Sequence, residues 1–468
     1  MLTGGGTAGA YHAGVLRAVQ EAGVRFDIVA GRGMGAASAM FAAVDGGGRL
    51  WDTTGIWKSR RATLFYRWRP PLRVAGWALA ASGVVLLFPL ALLALAIVVG
   101  MLGLVLTLVG LEGAASALTV AFTTRLGVWF SPPWLPTAIP RLVLLAVLVA
   151  FGALVAGAAG EHYGAGGRRR RRAGTASWVP GHPLGARETF EALAAELWKL
   201  IRGAAPLQRP RDAELGRRYV ELLAENLGQP GFRELLIVVH DVDARHDLVF
   251  AFLGERYRAR FFGARAEGSP ARAAEAFDLA GVARDHAADA LSAALAMPVA
   301  TSPHLIAFAA EGPWRGERHR ACDRPGALTR VVEEVVAAGA EQVILVSPAA
   351  RPARPHELST ERADVRGGGG EQLAAFETAG LRDVIEQFSG RCAGLYVIRP
   401  EHNPLAPLDF AGVHDERSDR HYPLAELVDR GYEDAYRQFI DPVVGAGGER
   451  IESAHDADAA AAGRTMEL

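Results

Sequence analysis

Lysine is almost missing from this chain: Lys58 and Lys199 are the two that occur among 468 residues, and arginine supplies the remaining cations. With the abundance of alanine and glycine, this reads as genome composition. Cysteine is scarce too. Cys322 and Cys392 form neither a disulfide framework nor a zinc spacing, and they fit a reducing compartment. Net charge is close to absent at −1, which removes any global attraction for nucleic acid. A cleavable signal peptide is not expected, because the first apolar residues run straight into Gly4-Gly5-Gly6. Charge is wholly absent from Val74 to Gly110 and again from Leu142 to Gly160. Each stretch is long enough to cross a bilayer at about 20 residues per crossing, and the first could hold one long tilted helix or a hairpin broken near Pro89 or Gly100. Buried core helices would carry a polar face that these stretches lack.

The flanks of this block are basic. Lys58, Arg60, Arg61, Arg67, Arg69 and Arg73 precede it, and Arg168 to Arg172 follow it. By the positive-inside rule both flanks are cytoplasmic, which allows two or four crossings and forbids three. The run at 168–172 reads first as a topology anchor and second as a site for anionic headgroups. Residues 113–140, with Arg125, Trp129, Trp134 and several prolines, suit an interfacial or re-entrant loop. The expected organisation is an α/β part over 1–70, a transmembrane insertion over 71–165, the rest of the α/β part over 175–446, and a disordered tail over 447–468. Both α/β parts would lie on the cytoplasmic side of a multi-pass cell-membrane protein.

One missing side chain matters more than any of these. Gly31-Arg32-Gly33-Met34-Gly35 follows a strand-like run, Phe26 to Ala30, and opens a small-residue helix, Ala36 to Val44. That is the setting of a nucleophile elbow, G-x-S-x-G, in which a serine sits on a sharp strand-to-helix turn. Here the middle position is Gly33. About two dozen residues earlier, Gly4-Gly5-Gly6-Thr7-Ala8-Gly9 puts a glycine loop before a helix, expected from Ala8 to Ala22, where backbone N–H groups can face an anion. Such a loop also serves dinucleotides, but Asp27 precedes the following strand instead of ending it. Only Met1 to Thr3 remain for a first strand, so further strand residues are expected upstream.

Further along, helices are expected over Glu188–Ile201, Ala213–Leu227, Phe277–Met297, Ala327–Ala338 and Gln372–Phe388. Strands are expected over Leu235–Val239, Leu248–Phe252, His304–Ala309, Gln342–Val346 and Gly394–Ile398. Arg351 to Gly370 reads as a mobile loop. His240, Asp241, Asp243 and His246 fit a strand end and turn better than a metal site, since no second cluster completes four ligands.

These segments resemble the patatin-like phospholipase family. The resemblance rests on Gly4-Gly5-Gly6, on the 31–35 elbow, on the Gly339-Ala340-Glu341-Gln342-Val343-Ile344-Leu345-Val346 strand, and on Gly431-Tyr432-Glu433-Asp434-Ala435 as the C-terminal helix. It covers about 1–50 and 230–440. It implies an α/β fold, a three-layer α/β/α sandwich with an inserted transmembrane helical block, and lipid acyl hydrolysis by a Ser–Asp dyad. Counting back from the 339–346 strand places Asp323 at the dyad-acid position and Gly33 at the vacated nucleophile position. Gly4, Gly5, Gly6 and Gly9 fall in the oxyanion or binding loop, and Gly31 and Gly35 flank the elbow.

The departures are at the chemistry. The loop's basic residue is Ala8, the nucleophile is Gly33, and Asp323 is followed by Arg324-Pro325 in place of small residues. Arg324 is placed to pair with Asp323 and keep it ionised. The expected protein is therefore a membrane-embedded, catalytically impaired patatin-like protein that retains lipid or acyl binding or acts as a scaffold. It would need no cofactor and no metal, with membrane lipids and a possible protein partner but no nucleic acid. Two alternatives stand beside it: an active lipid acyl hydrolase with a displaced nucleophile such as Ser38 or Cys322, and a membrane-anchored nucleotide- or anion-binding module.

Overall fold

A computed structural model describes residues 1–164, 181–263, 272–310, 314–351, 365–401, 404–415 and 420–445. Arg168–Arg172 and residues 447–468 lie outside these. The chain divides into two compact units, Met1–Arg67 with Leu184–Leu468, and Trp68–Pro183.

The first unit begins with α1 (Ala8–Glu21), β1 (Ile28–Gly31), α2 (Met34–Ala42) and a single turn α3 (Gly48–Trp51). The second unit holds α4 (Pro70–Leu108), α5 (Glu112–Trp129) and α6 (Leu135–Gly164). The first resumes with α7 (Arg187–Arg202), α8 (Asp212–Asn226), β2 (Glu234–Asp241), β3 (His246–Phe252), α9 (Glu255–Phe262), β4 (Ala274–Asp278), α10 (Ala287–Leu295), β5 (His304–Ala307) and β6 (Arg318–Cys322). It ends with α11 (Leu328–Ala338), β7 (Gln342–Val346), α12 (Val365–Phe388), β8 (Gly394–Ile398), β9 (Val413–Asp415), β10 (Arg420–Tyr422) and α13 (Leu424–Ala435).

The sheet is mixed and is built around β2, whose run Leu235 to Val239 is buried throughout. Such an unbroken apolar run marks a strand covered on both faces. β1 pairs with β2 in parallel, β3 antiparallel to β2, and β4 parallel to β3. The end of β2 also takes β6, which pairs antiparallel with β5. β7 and β8 form a parallel pair. Leu2 bridges in parallel to both Gly31 and Val346, so residues 1–3 knit that pair to β1. This is an α/β fold with a mixed sheet and helices.

Several expectations need correction. Phe277 belongs to β4, not to a helix: it pairs in register with Phe250 of β3 and its ring stacks on Phe250 at 5.2 Å, which outweighs its local pattern. The helix begins ten residues later, at Ala287. α12 starts at Val365, so residues 365–370 are helical and not loop. The run Gly367–Gly370 disfavours helix intrinsically, but Arg366 is held by Leu408 O at 3.1 Å and Gly370 packs beside Pro407. β6 and α9 were not expected at all.

α1 and α13 cross at backbone contact. A Cβ on Gly14 would lie 1.8 Å from Val428 O, and one on Gly431 would lie 2.2 Å from Tyr11 O. Tyr11 OH then donates to Asp434 Oδ2 at 2.9 Å.

In the second unit, α4 (39 residues) and residues Leu135–Ala159 of α6 are long and apolar enough to cross a membrane. α4 is a single helix through Pro89 rather than a hairpin. The intervening segment is largely helical, as α5, rather than a loop: Thr119, Thr123 and Thr124 return their hydroxyls to carbonyls one turn back, which removes their demand for water.

Gly14→Ala is expected to lower the thermal midpoint, at a cost of about 2 kcal/mol or more, because the carbonyl it meets is backbone and cannot swing aside. Gly369→Ala, whose Cβ meets nothing within 4 Å, is the matched control and should hold or raise the midpoint. Thermal unfolding of the purified full chain distinguishes the two.

Candidate active site

The turn between β1 and α2 can be made only by glycines. A Cβ on Gly31 would meet Gly35 O at 2.3 Å, and one on Gly35 would meet Leu2 O at 2.0 Å. Gly33 sits between them at φ 58°, ψ −137°, a conformation that L side chains rarely adopt. The glycine loop locks against this turn: Met34 N–H donates to Gly4 O at 2.8 Å, and Arg32 N–H to Leu2 O at 3.3 Å. Gly4 and Gly6 have φ of 111° and 52°. Gly6 is further fixed by Pro407 O, which a Cβ would approach to 1.6 Å. Among the described residues the N–H groups of Gly4, Gly5 and Gly6 make no hydrogen bond. Gly9 is different. It lies in the first turn of α1, its N–H bonds Gly6 O at 3.3 Å, and it makes room for Trp57 and Met34.

Asp323 follows β6 and is 3% exposed. Its Oδ2 stands 3.0 Å from where a Cβ on Gly33 would be, and Gly4 O stands 2.6 Å from the same point. The structure therefore brings together Gly33, Asp323 and the glycine loop, which lie far apart in sequence.

Two residues at this site were not anticipated. Arg32 is 1% exposed, and its Nη1 donates to Asp323 Oδ1 at 2.8 Å and Oδ2 at 2.9 Å. Its Nη2 donates to Glu377 Oε1 of α12, also buried. The expected Asp323–Arg324 pair does not form. Arg324 points the other way, to Asp247 of β3 at 3.1 Å, because successive residues at the strand end project to opposite sides. The one available signal for Arg32 was its charge inside a glycine turn at the end of a buried strand.

The remaining cavity holds about 10 Å³, lined by Gly5, Met297, Asp323, Pro325, Leu373 and Glu377 among others. That is space for about one water. Arg32 Nε and Glu377 Oε2 are buried without a partner among the described residues.

The displaced-nucleophile candidates are enclosed. Ser38 Oγ lies 3.3 Å from His12 Nδ1, and His12 Nε2 donates to Thr3 O at 2.9 Å. Both side chains are at most 1% exposed. Burial drops the His12 imidazole to about 3, so it stays neutral. Burial, with the charges of Asp323 and Asp241 behind it, pushes the Cys322 thiol up to about 12, which leaves no thiolate at neutral pH. The acidic and histidine residues of 240–246 disperse into separate pairs: His240 with Asp247, Asp241 with His319, Asp243 with Arg320, His246 with Glu275. Among the described residues no group of three or more such side chains is arranged to hold a metal ion.

A family model described as patatin-like phospholipase matches residues 1–127. Residues 1–127 are similar to patatin-like phospholipase sequence. No curated protein and no solved structure matches the chain. The patatin-like segment contains the glycine loop, the elbow, α4 and most of α5, whereas Asp323 and Glu377 lie beyond it.

His12 supplies a pH test within the patatin-like segment. Its folded value is depressed, so the unfolded chain binds the extra proton. Its contribution is complete above about 6.5 and is lost as pH falls toward 3. Between pH 7 and pH 5 this amounts to about 2 kcal/mol. Thermal midpoints of wild type and His12→Gln should therefore diverge less at pH 5 than at pH 7.

Proposed function

We propose that the chain is a membrane-anchored, catalytically silent member of the patatin-like group whose role is structural or lipid-contacting rather than hydrolytic. The observation that carries this reading is the space above residue 33. Where a nucleophile's side chain would stand, Gly4 O and Asp323 have closed in, and a bound acyl chain has no room in a cavity of about 10 Å³. Asp323 stands where a dyad acid would be needed. Arg32 Nη1 donates to both of its oxygens, so the carboxylate is already engaged as an acceptor. The N–H groups of Gly4, Gly5 and Gly6 keep the character of an oxyanion loop, but without a nucleophile such a loop supports little turnover.

The membrane part of the reading rests on α4 and α6. Two crossings would return the chain to the side from which it left, and the cations from Lys58 to Arg73 favour the cytoplasm as that side. A scaffold or surface role is favoured over acyl binding because α12 fills the site through Leu373, Ala374 and Glu377.

The test is fluorophosphonate labelling and ester hydrolysis with the full chain in nanodiscs. Wild type should give neither. Gly33→Ser should also stay unlabelled and should lose about 1–3 kcal/mol of stability, because serine must hold a positive φ. Labelling of wild type at Ser38, or turnover abolished by Ser38→Ala, would overturn the silent reading in favour of a displaced nucleophile.

A further inference from the structure

We propose that a cavity at the leading ends of β1 and β2 binds a small monocarboxylate with an apolar body, read by Arg233 and Arg25. It lies at the opposite end of β1 from Gly33, so the inference stands apart from the reading of the elbow.

The cavity holds about 180 Å³, against about 10 Å³ beside Gly33. That is below the roughly 300 Å³ at which drug-sized pockets begin, so the occupant is small. All of its walls belong to the first unit. They come from the last turns of α1, the loop into β1, the end of α2, the turn into α3, Trp51 of α3, and the residue before β2.

Arg233 is fixed there with half of its guanidinium unused. The group lies over the Phe26 ring, 4.4 Å from its centroid. Nη1 donates to Ala42 O at 2.7 Å and to Gly231 O at 3.0 Å, which occupies both of its protons. Nε and Nη2 form the edge that takes a carboxylate through two parallel hydrogen bonds. Among the described residues that edge donates to nothing, and neither nitrogen is sealed from solvent. Half-burial therefore takes hydration from this cation without giving it a carboxylate. Burial lowers its pKa, and Asp45 opposes that from beyond ion-pair distance.

The rest of the lining narrows the ligand. Arg25, on the loop between α1 and β1, is exposed and has no partner among the described residues. Asp45 is the one carboxylate in the lining. Two guanidiniums against one carboxylate leave a single net positive charge, which suits a monoanion, and Asp45 repels a dianion such as phosphate. Leu16, Val24 and Trp51 supply an apolar wall. Trp51 reaches back over Gly47, where a Cβ would come within 2.3 Å of its ring. A clamped cation edge beside a preformed apolar wall binds without first paying to order itself.

The test is equilibrium dialysis of phenylacetate against the full chain in phosphatidylcholine nanodiscs, with empty nanodiscs as the blank. Wild type should bind saturably at a single site, with a Kd of about 1 mM or tighter. Phenylacetamide, of the same shape but uncharged, should bind about ten-fold more weakly or worse. Arg233→Lys keeps the charge but lacks the forked edge, and should also weaken phenylacetate about ten-fold. Arg25→Gln should weaken it about three-fold or more with the thermal midpoint unchanged, so it stays decisive even where Arg233→Lys loosens the contacts to Ala42 and Gly231. Inorganic phosphate should bind only once Asp45→Asn removes the opposing charge. Absence of saturable phenylacetate binding to wild type would overturn the proposal. Binding unchanged in both arginine variants would place phenylacetate elsewhere and overturn it too. Phosphate binding to wild type as tightly as phenylacetate would show general anion attraction and overturn the carboxylate assignment.

Discussion

A guanidinium at 1% exposure governs this site. Arg32 cannot sit in the interior without anionic partners, since an unpaired buried charge costs several kcal/mol. The chain answers with two carboxylates: Asp323 after β6 and Glu377 on α12, 291 and 345 residues away in sequence. Three elements are thereby tied to one side chain at the end of β1. The elbow, the acid loop and α12 hold their places together, and the shut cavity is the result. Close backbone contact reinforces it. Gly380 of α12 sits so near Gly326 O, on the same loop as Asp323, that a Cβ would come within 2.6 Å.

The same interaction engages the carboxylate that stands nearest residue 33. Both oxygens of Asp323 already accept from Arg32 Nη1, so the carboxylate is committed to this ion pair. A hydroxyl introduced at residue 33 would leave that ion pair and the packing of α12 in place.

The sequence made the glycine positions legible because glycine's uses are local. A turn at positive φ demands it wherever the chain goes, so residues 4–6 and 31–35 could be placed before any tertiary contact was known, whereas the backbone crossing at Gly14 and Gly431 shows only in the fold. Asp323 was reachable through its register with the 339–346 strand. Arg32 and Glu377 were not, because nothing local to Arg32 hints at partners 291 and 345 residues away. Arg324 misled for the converse reason: adjacency in sequence is not adjacency of side chains at a strand end. β6 escaped notice because Arg318-His319-Arg320 reads as solvent, yet it alternates, with His319 buried against Asp241 and the arginines exposed. α12 was cut short at its glycine run, where contacts with residues 406–408 override propensity.

The position of the insertion also follows from chain physics. β1 and β2 are parallel neighbours, so their connection must cross over somewhere, and here it carries the whole second unit. That unit makes the connection a little more than twice as long, and loop-closure entropy rises by only about 0.6 kcal/mol per doubling. Even this is offset by fixing the ends. The backbone bond between Gly185 and Arg67 closes the gap on the side of the first unit, and Arg69 N–H to Pro183 O at 3.0 Å closes it on the side of the second. A hydrophobic block entered through so narrow a neck burdens the α/β unit very little, because β2 pairs with β1 in the same register whatever the intervening residues do. The glycine at residue 33 and the apolar helices are therefore independent in energetic terms: neither requires the other.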